Sequence, residues 1–171
     1  SVPAAEAFDM VIGDSVGSGQ PSAGAGRIES PGATDVYAFN AQAGQTVFFD
    51  LQEGGTARTR WQLKDAAGVT VFREGMFFDV GAVTLVRGGR YTLTVGAEES
   101  DHVGSYAFQL WNVPATQTFD ISIGNTIAEG APGVGAGRIE TPGVRDEYRF
   151  EAVAGQVVFF DLLEGGTARI G

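Results

Sequence analysis

The chain has 171 residues, no cysteine, and a formal net charge of -10 from 21 acidic and 11 basic side chains. The lack of thiols excludes a disulfide framework and thiolate metal sites. Lys64 and ten scattered arginines form no basic stripe that could neutralise phosphates, which excludes nucleic acid as a partner. Strand signals then follow in quick succession. Residues 8–12 and 26–29 come first, and residues 35–40 place Val36 and Ala38 on one face with Tyr37 and Phe39 on the other. Residues 45–51 read as a strand buried on both sides near its centre. Residues 60–64 alternate, with Trp61 and Leu63 inward, and 69–72, 82–86, 91–95 and 106–110 complete about nine strands.

The separators are turn chemistry: Ser30-Pro31-Gly32, Ala43-Gly44, Glu53-Gly54-Gly55, Ala67-Gly68 and Arg87-Gly88-Gly89. Short strands with glycine-rich turns predict an all-β fold, an antiparallel β-sandwich or jelly-roll-like repeat. A parallel sheet is not expected, because no amphipathic helix is available for crossovers. No run of 18 apolar residues occurs, so no membrane insertion is predicted.

The pattern then repeats. Residues 112–171 follow residues 1–60 at a constant offset of 111 without a gap, and roughly 35 of the 60 paired positions are identical. Residues 1–111 therefore read as one complete β-sandwich repeat, and 112–171 as the first half of a second. That half is expected to hold four strands and the start of a fifth. It would expose Phe159 and Phe160 and leave sheet edges open. The expectation is a piece of a longer polypeptide, with strand exchange between copies as the fallback. Val113-Pro114-Ala115 joins the repeats, and proline stiffens that joint. The shared Tyr37/Tyr148, Phe39/Phe150, Phe48/Phe159 and Phe49/Phe160 are the predicted core of one sheet.

The repeat resembles the bacterial pre-peptidase C-terminal domain. The resemblance is carried by Gly26-Arg27-Ile28, Pro31-Gly32 with Asp35-Val36-Tyr37-Ala38-Phe39, and the run from Ala43-Gly44-Gln45 through Phe48-Phe49-Asp50-Leu51. Trp61-Gln62-Leu63-Lys64-Asp65, Gly68, Gly88-Gly89-Arg90-Tyr91-Thr92-Leu93-Thr94-Val95 and Gly104-Ser105-Tyr106-Ala107-Phe108 complete it. It covers residues 8–111 and resumes at 119. The resemblance implies a jelly-roll-like sandwich on exported bacterial proteins, either flanking secreted peptidases or in tandem in large surface proteins. Relatives in secreted collagenases bind collagen and calcium.

Candidate chemistry is sparse. His102, the single histidine, reads as part of a solvated loop, since acid–base work needs a positioned partner and a pocket. Asp35 with Asp50, and Glu53 nearby, offer paired carboxylates. They recur as Asp146, Asp161 and Glu164, which points to a fold role; Asp35 is expected to open its strand by accepting backbone N–H bonds. Calcium is the one cofactor left open, with the Asp9/Asp14 segment and the 98–101 loop as the acidic candidates. No calcium loop of the D-x-[DN]-x-[DN]-G type is present, and Asp14 becomes Asn125 in the second copy. Met76-Phe77-Phe78, with Tyr91 or Trp111, is the candidate aromatic surface; the preferred reading has Phe77 and Phe78 plugging an open end of the sandwich.

No catalytic, cofactor-binding or metal residue is assigned, and no enzyme is predicted. The expected role is a structural repeat in a large secreted or surface-attached bacterial protein: a stalk, adhesin or filament spacer. Its expected partners are neighbouring repeats of the same chain and like chains in a filament. The alternatives are an extracellular module for a glycan or a protein such as collagen, calcium-assisted or not, and a non-catalytic C-terminal domain of a secreted peptidase.

Overall fold

The computed structural model describes residues 3–54, 59–97 and 101–163. The chain divides into two compact units, Ser1–Val113 and Pro114–Gly171.

Unit 1 is a β-sandwich. One sheet contains β1 (Glu6–Asp9), β4 (Thr34–Ala41), β9 (Gly89–Ala97), β6 (Thr59–Lys64) and β7 (Thr70–Gly75), in the order β1-β4-β9-β6-β7. The other contains β2 (Ser15–Val16), β11 (Ala107–Val113), β5 (Gln45–Glu53) and β8 (Gly81–Leu85), in the order β2-β11-β5-β8. A short ribbon of β3 (Arg27–Ile28) and β10 (Gly104–Ser105) lies beside them.

Strands β5, β6, β9 and β11 bury alternate residues, as a pleated strand between a core and water must. In β9, Tyr91, Leu93 and Val95 are buried while Arg90 is exposed. Trp61 and Leu63 of β6 point inward as predicted. Rings from both sheets meet edge-on: Phe49 lies 6.3 Å from Trp61 and 5.0 Å from Phe72, and Trp61 lies 5.8 Å from Phe108. Such contacts add about 0.5–1.5 kcal/mol each beyond area burial.

Four expectations need correction. Tyr37 and Phe39 belong to one sheet and Phe49 to the other, so they form the contact between sheets rather than the core of one. Strand β5 is not buried on both sides: Val47 and Phe49 face inward, whereas Phe48 turns outward, half-buried opposite Trp111. The sheets are not wholly antiparallel, since β1 pairs with β4 in parallel. That pair needs a long crossover, and residues 10–33 supply it by passing through β2 in the opposite sheet, with no helix required. The first strand also starts earlier than predicted, at Glu6, and the two-residue strands β2 and β10 carried no recognisable alternation.

Unit 2 repeats only part of this. Strands β12 (Gln117–Asp120) and β13 (Asp146–Arg149) pair in parallel, with Phe119 opposite Tyr148 as Phe8 is opposite Tyr37. Ala136 is fully buried, like its counterpart Ala25. The four strands expected here are not all formed: among the described residues, 138–139 and 156–163 form no strand. Their counterparts β3 and β5 are held by β10, β8 and β11, which have no equivalent in residues 112–171.

Candidate cation site

The polar centre of unit 1 is assembled by the parallel edge and the β3–β10 ribbon. The β1–β4 register sets Glu6 beside Asp35. The ribbon brings Glu29, just after β3, and Tyr106, just after β10, to the same place. Gly26 closes the constellation. Its φ of +75° lies in the left-handed region, and an added Cβ would sit 2.2 Å from the backbone of Gly17. That close approach lets the Gly26 N–H donate to the Tyr37 hydroxyl at 2.9 Å, while the Gly26 carbonyl accepts from the Tyr106 N–H at 3.0 Å.

Asp35 is 1% exposed. Its Oδ2 accepts from the Tyr106 hydroxyl in a short hydrogen bond and from the Tyr37 hydroxyl at 3.4 Å. The two phenolic oxygens are 2.7 Å apart. Its Oδ1 is buried without a hydrogen-bond partner. Burial pushes the Asp35 carboxyl up to about 6; the Tyr106 hydrogen bond opposes this, and the nearby Glu29 and Glu6 charges add to it. Burial also raises both phenols well above their ordinary value, so they remain hydroxyl donors.

One carboxylate oxygen from each of Glu6, Glu29 and Asp35 lies within 4.8 Å of the others. Two ligands facing each other across a calcium ion, at about 2.3–2.6 Å each, have that separation. The donors are hard oxygens, and the orphaned Asp35 Oδ1 is a buried acceptor in need of a cation or a proton. The set therefore fits calcium. Gly24 makes room for it: the Glu6 carboxylate occupies the space a Gly24 side chain would need, with Oε2 2.0 Å from the Cβ position.

Unit 2 contains half of this arrangement. Gly137 N–H donates to Tyr148 at 2.7 Å, Tyr148 donates to Asp146 Oδ2 at 3.1 Å, and Asp146 Oδ1 is again without a partner. Gln117 stands where Glu6 does, with Oε1 in the space beside Gly135. Residues 112–171 contain no counterpart of Tyr106.

Of the predicted candidates, Asp35 lies in this site and the others lie elsewhere. Asp35 does not open its strand through backbone N–H bonds; it serves the tyrosines. Asp50 faces outward from the other sheet, where it accepts from Trp111 Nε1 at 3.0 Å, so Asp35 and Asp50 form no pair. Glu53 Oε1 accepts from Ser105 Oγ at 2.9 Å. Asp9 pairs with Arg90. Asp14 accepts the Val11 N–H at 2.9 Å in a turn, a role Asn125 repeats with Ser122 at 2.8 Å, which explains the exchange of Asp for Asn. His102 Nδ1 lies 3.1 Å from the Asp101 carboxylate, while residues 98–100 and Glu164 lie outside the described residues. Phe77 and Phe78 do not plug the sandwich: they are 60% and 83% exposed, and Met76 is the buried residue. Tyr91 is buried, and its hydroxyl donates to the Arg87 carbonyl at 2.6 Å.

The sequence matches no described protein family, and no curated protein is significantly similar to it. Among solved structures, the chain is similar to the pre-peptidase C-terminal domain of a collagenase from Bacillus anthracis. The TM-score is 0.50 at 16% identity, covering 63% of this chain and 97% of that one. Two periplasmic inhibitors of g-type lysozyme are less similar in shape. PliG from Aeromonas hydrophila has a TM-score of 0.42 at 15% identity, covering 63% of this chain and 99% of its own. PliG from Salmonella Typhimurium has 0.40 at 18%, covering 61% and 97%. The collagenase-domain likeness is one of fold.

Proposed function

We propose that the chain is a non-enzymatic structural module of a large exported bacterial protein, in which successive sandwiches act as spacers in a stalk, adhesin or filament. The observation that carries this reading is the ungapped internal repeat, set beside a first unit that closes a complete aromatic core. The likeness to a collagenase's pre-peptidase C-terminal domain supports an extracytoplasmic setting. The role is mechanical: each bead resists unfolding through its core, and short joints set the spacing. Pulling single molecules of a polypeptide with several copies of residues 1–111 tests it. Equal, repeated unfolding steps of one bead length are expected. Beads that yield together without discrete steps, or hydrolysis of a peptide or glycan panel by the purified chain, would refute it.

A second reading, a calcium-dependent ligand module, is favoured by the orphaned Asp35 Oδ1 among Glu6 and Glu29. Calorimetric titration of the 171-residue chain with calcium chloride tests the ion. One saturable site that disappears in Glu6→Gln/Glu29→Gln supports it, and a flat titration removes it.

A further inference from the structure

Unit 2 exposes a run of apolar side chains that includes the counterpart of a core ring of unit 1. Phe159 and Phe160 are 86% and 76% exposed, and Leu162 and Leu163 are exposed beside them. Phe49, the counterpart of Phe160, is fully buried. Beside Phe39 of the first half, its cover in unit 1 comes from the part of the sandwich that follows residue 58: Trp61 and Phe72 contact its ring, and β11 and β8 pair with its strand.

The polar network of unit 2 is half-filled as well. In unit 1, Asp35 Oδ2 receives two hydroxyls, one from Tyr37 of the first half and one from Tyr106 of the second. In unit 2, among the described residues, Asp146 Oδ2 receives the hydroxyl of Tyr148 alone and its Oδ1 is unpartnered. The exposed Phe160, the unpaired segment 156–163 and the half-filled carboxylate all correspond to groups that residues 59–113 cover or pair in unit 1.

We propose that this face is a docking surface for a polypeptide segment with the pattern of residues 59–113, which closes unit 2 as a second sandwich. The occupant is specified by an interface that already exists once in the molecule. It must supply a strand on each side of 156–163, inward rings at the positions of Trp61 and Phe108, and a tyrosine at the position of Tyr106 for Asp146. This proposal does not depend on the mechanical role, since a ligand-binding bead needs closing as much as a spacer does.

The test is to extend the 171-residue chain directly after Gly171 with a copy of residues 61–113, which keeps the 111-residue repeat register. The extension should lower the fluorescence of the apolar dye ANS several-fold relative to the unextended chain and protect residues 156–163 from hydrogen exchange. Phe160→Ala, silent in the unextended chain, should then lower a melting transition as Phe49→Ala does. Tyr148→Phe should act as a positioning variant: fold retained, but a shifted ultraviolet tyrosine titration. An appended segment that stays unprotected with dye binding unchanged would overturn the proposal. So would a concentration-dependent dimer of the unextended chain that already excludes the dye, because the occupant would then be a second copy.

Discussion

Asp35→Asn separates the buried carboxylate's cost from its use. Burial and the neighbouring acids raise this carboxyl from 3.8 to about 6. A rise of about 2 units corresponds to roughly 3 kcal/mol, at about 1.4 kcal/mol per unit. The exposed flank of Glu6 and Glu29 admits water, so screening leaves about 1–2 kcal/mol. The sign follows from linkage. An acid whose pKa is higher folded than unfolded binds its proton more tightly in the folded state. Its penalty is absent below about 4, grows between about 4 and 6, and is complete above that range. In EDTA, the stability of the wild-type chain relative to Asp35→Asn should therefore rise by about two thirds of that amount as pH falls from 7 to 4.5. The asparagine keeps an acceptor for Tyr106 and turns an amide donor toward the acids. Calcium, if bound at this site, should reverse the comparison: at a hundredfold excess over its Kd the wild type should gain about 2.7 kcal/mol and the variant nothing. Thermal melts over pH, with and without calcium, read both effects. Parallel pH curves for the two proteins in EDTA would refute the reasoning, because the carboxylate would then carry no burial penalty.

Three further outcomes follow from the same geometry. Phe49→Ala should cost about 3–5 kcal/mol in urea denaturation, because the ring is fully buried among Trp61, Phe72 and Phe39; Phe160→Ala, at the matching position of unit 2, should stay within about 0.5 kcal/mol. Gly26→Ala should cost about 2 kcal/mol or more, since it combines a left-handed φ with a backbone clash against Gly17, whereas Gly44→Ala has open space around it and only its φ to strain. Phe78→Ser should leave the melting temperature unchanged while lowering dye binding, because the ring is 83% exposed.

The sandwich was legible because its long strands obey a period of two that water and core enforce from the two sides. Trp61 and Leu63 could be placed inward from alternation alone, whereas Tyr91, offered as a surface ring, is buried with Leu93 and Val95. In the run Val47-Phe48-Phe49 every residue is apolar, so alternation is invisible there, and only the pairing with Trp111 shows that Phe48 faces out. The polar centre was illegible for a different reason. Asp35 and Tyr106 are 71 positions apart, and Glu6 reaches them through a four-residue parallel edge that no short-range signal announces. The available clue was Gly26 with Tyr37, shared as Gly137 with Tyr148, whose spacing of 11 is a hydrogen bond in both units.

That shared pair shows how the site depends on the fold. The first half of the repeat encodes the acceptor carboxylate, one phenol and the glycine that holds it; the second half encodes the other phenol. Neither half alone satisfies Asp35, and a buried carboxylate left half-satisfied costs more than it contributes. The carboxylate therefore penalises any state in which the two halves are apart; Glu6, Glu29 and Asp35 all belong to the first half, so a bound cation would add to that penalty only as far as it prefers the centre that Tyr106 completes. Asp146, with one hydroxyl in place of two among the described residues, is the same device half-filled. Closing a sandwich and completing its polar centre are thus a single event, so an ion that prefers the completed centre also acts as a clamp on the bead.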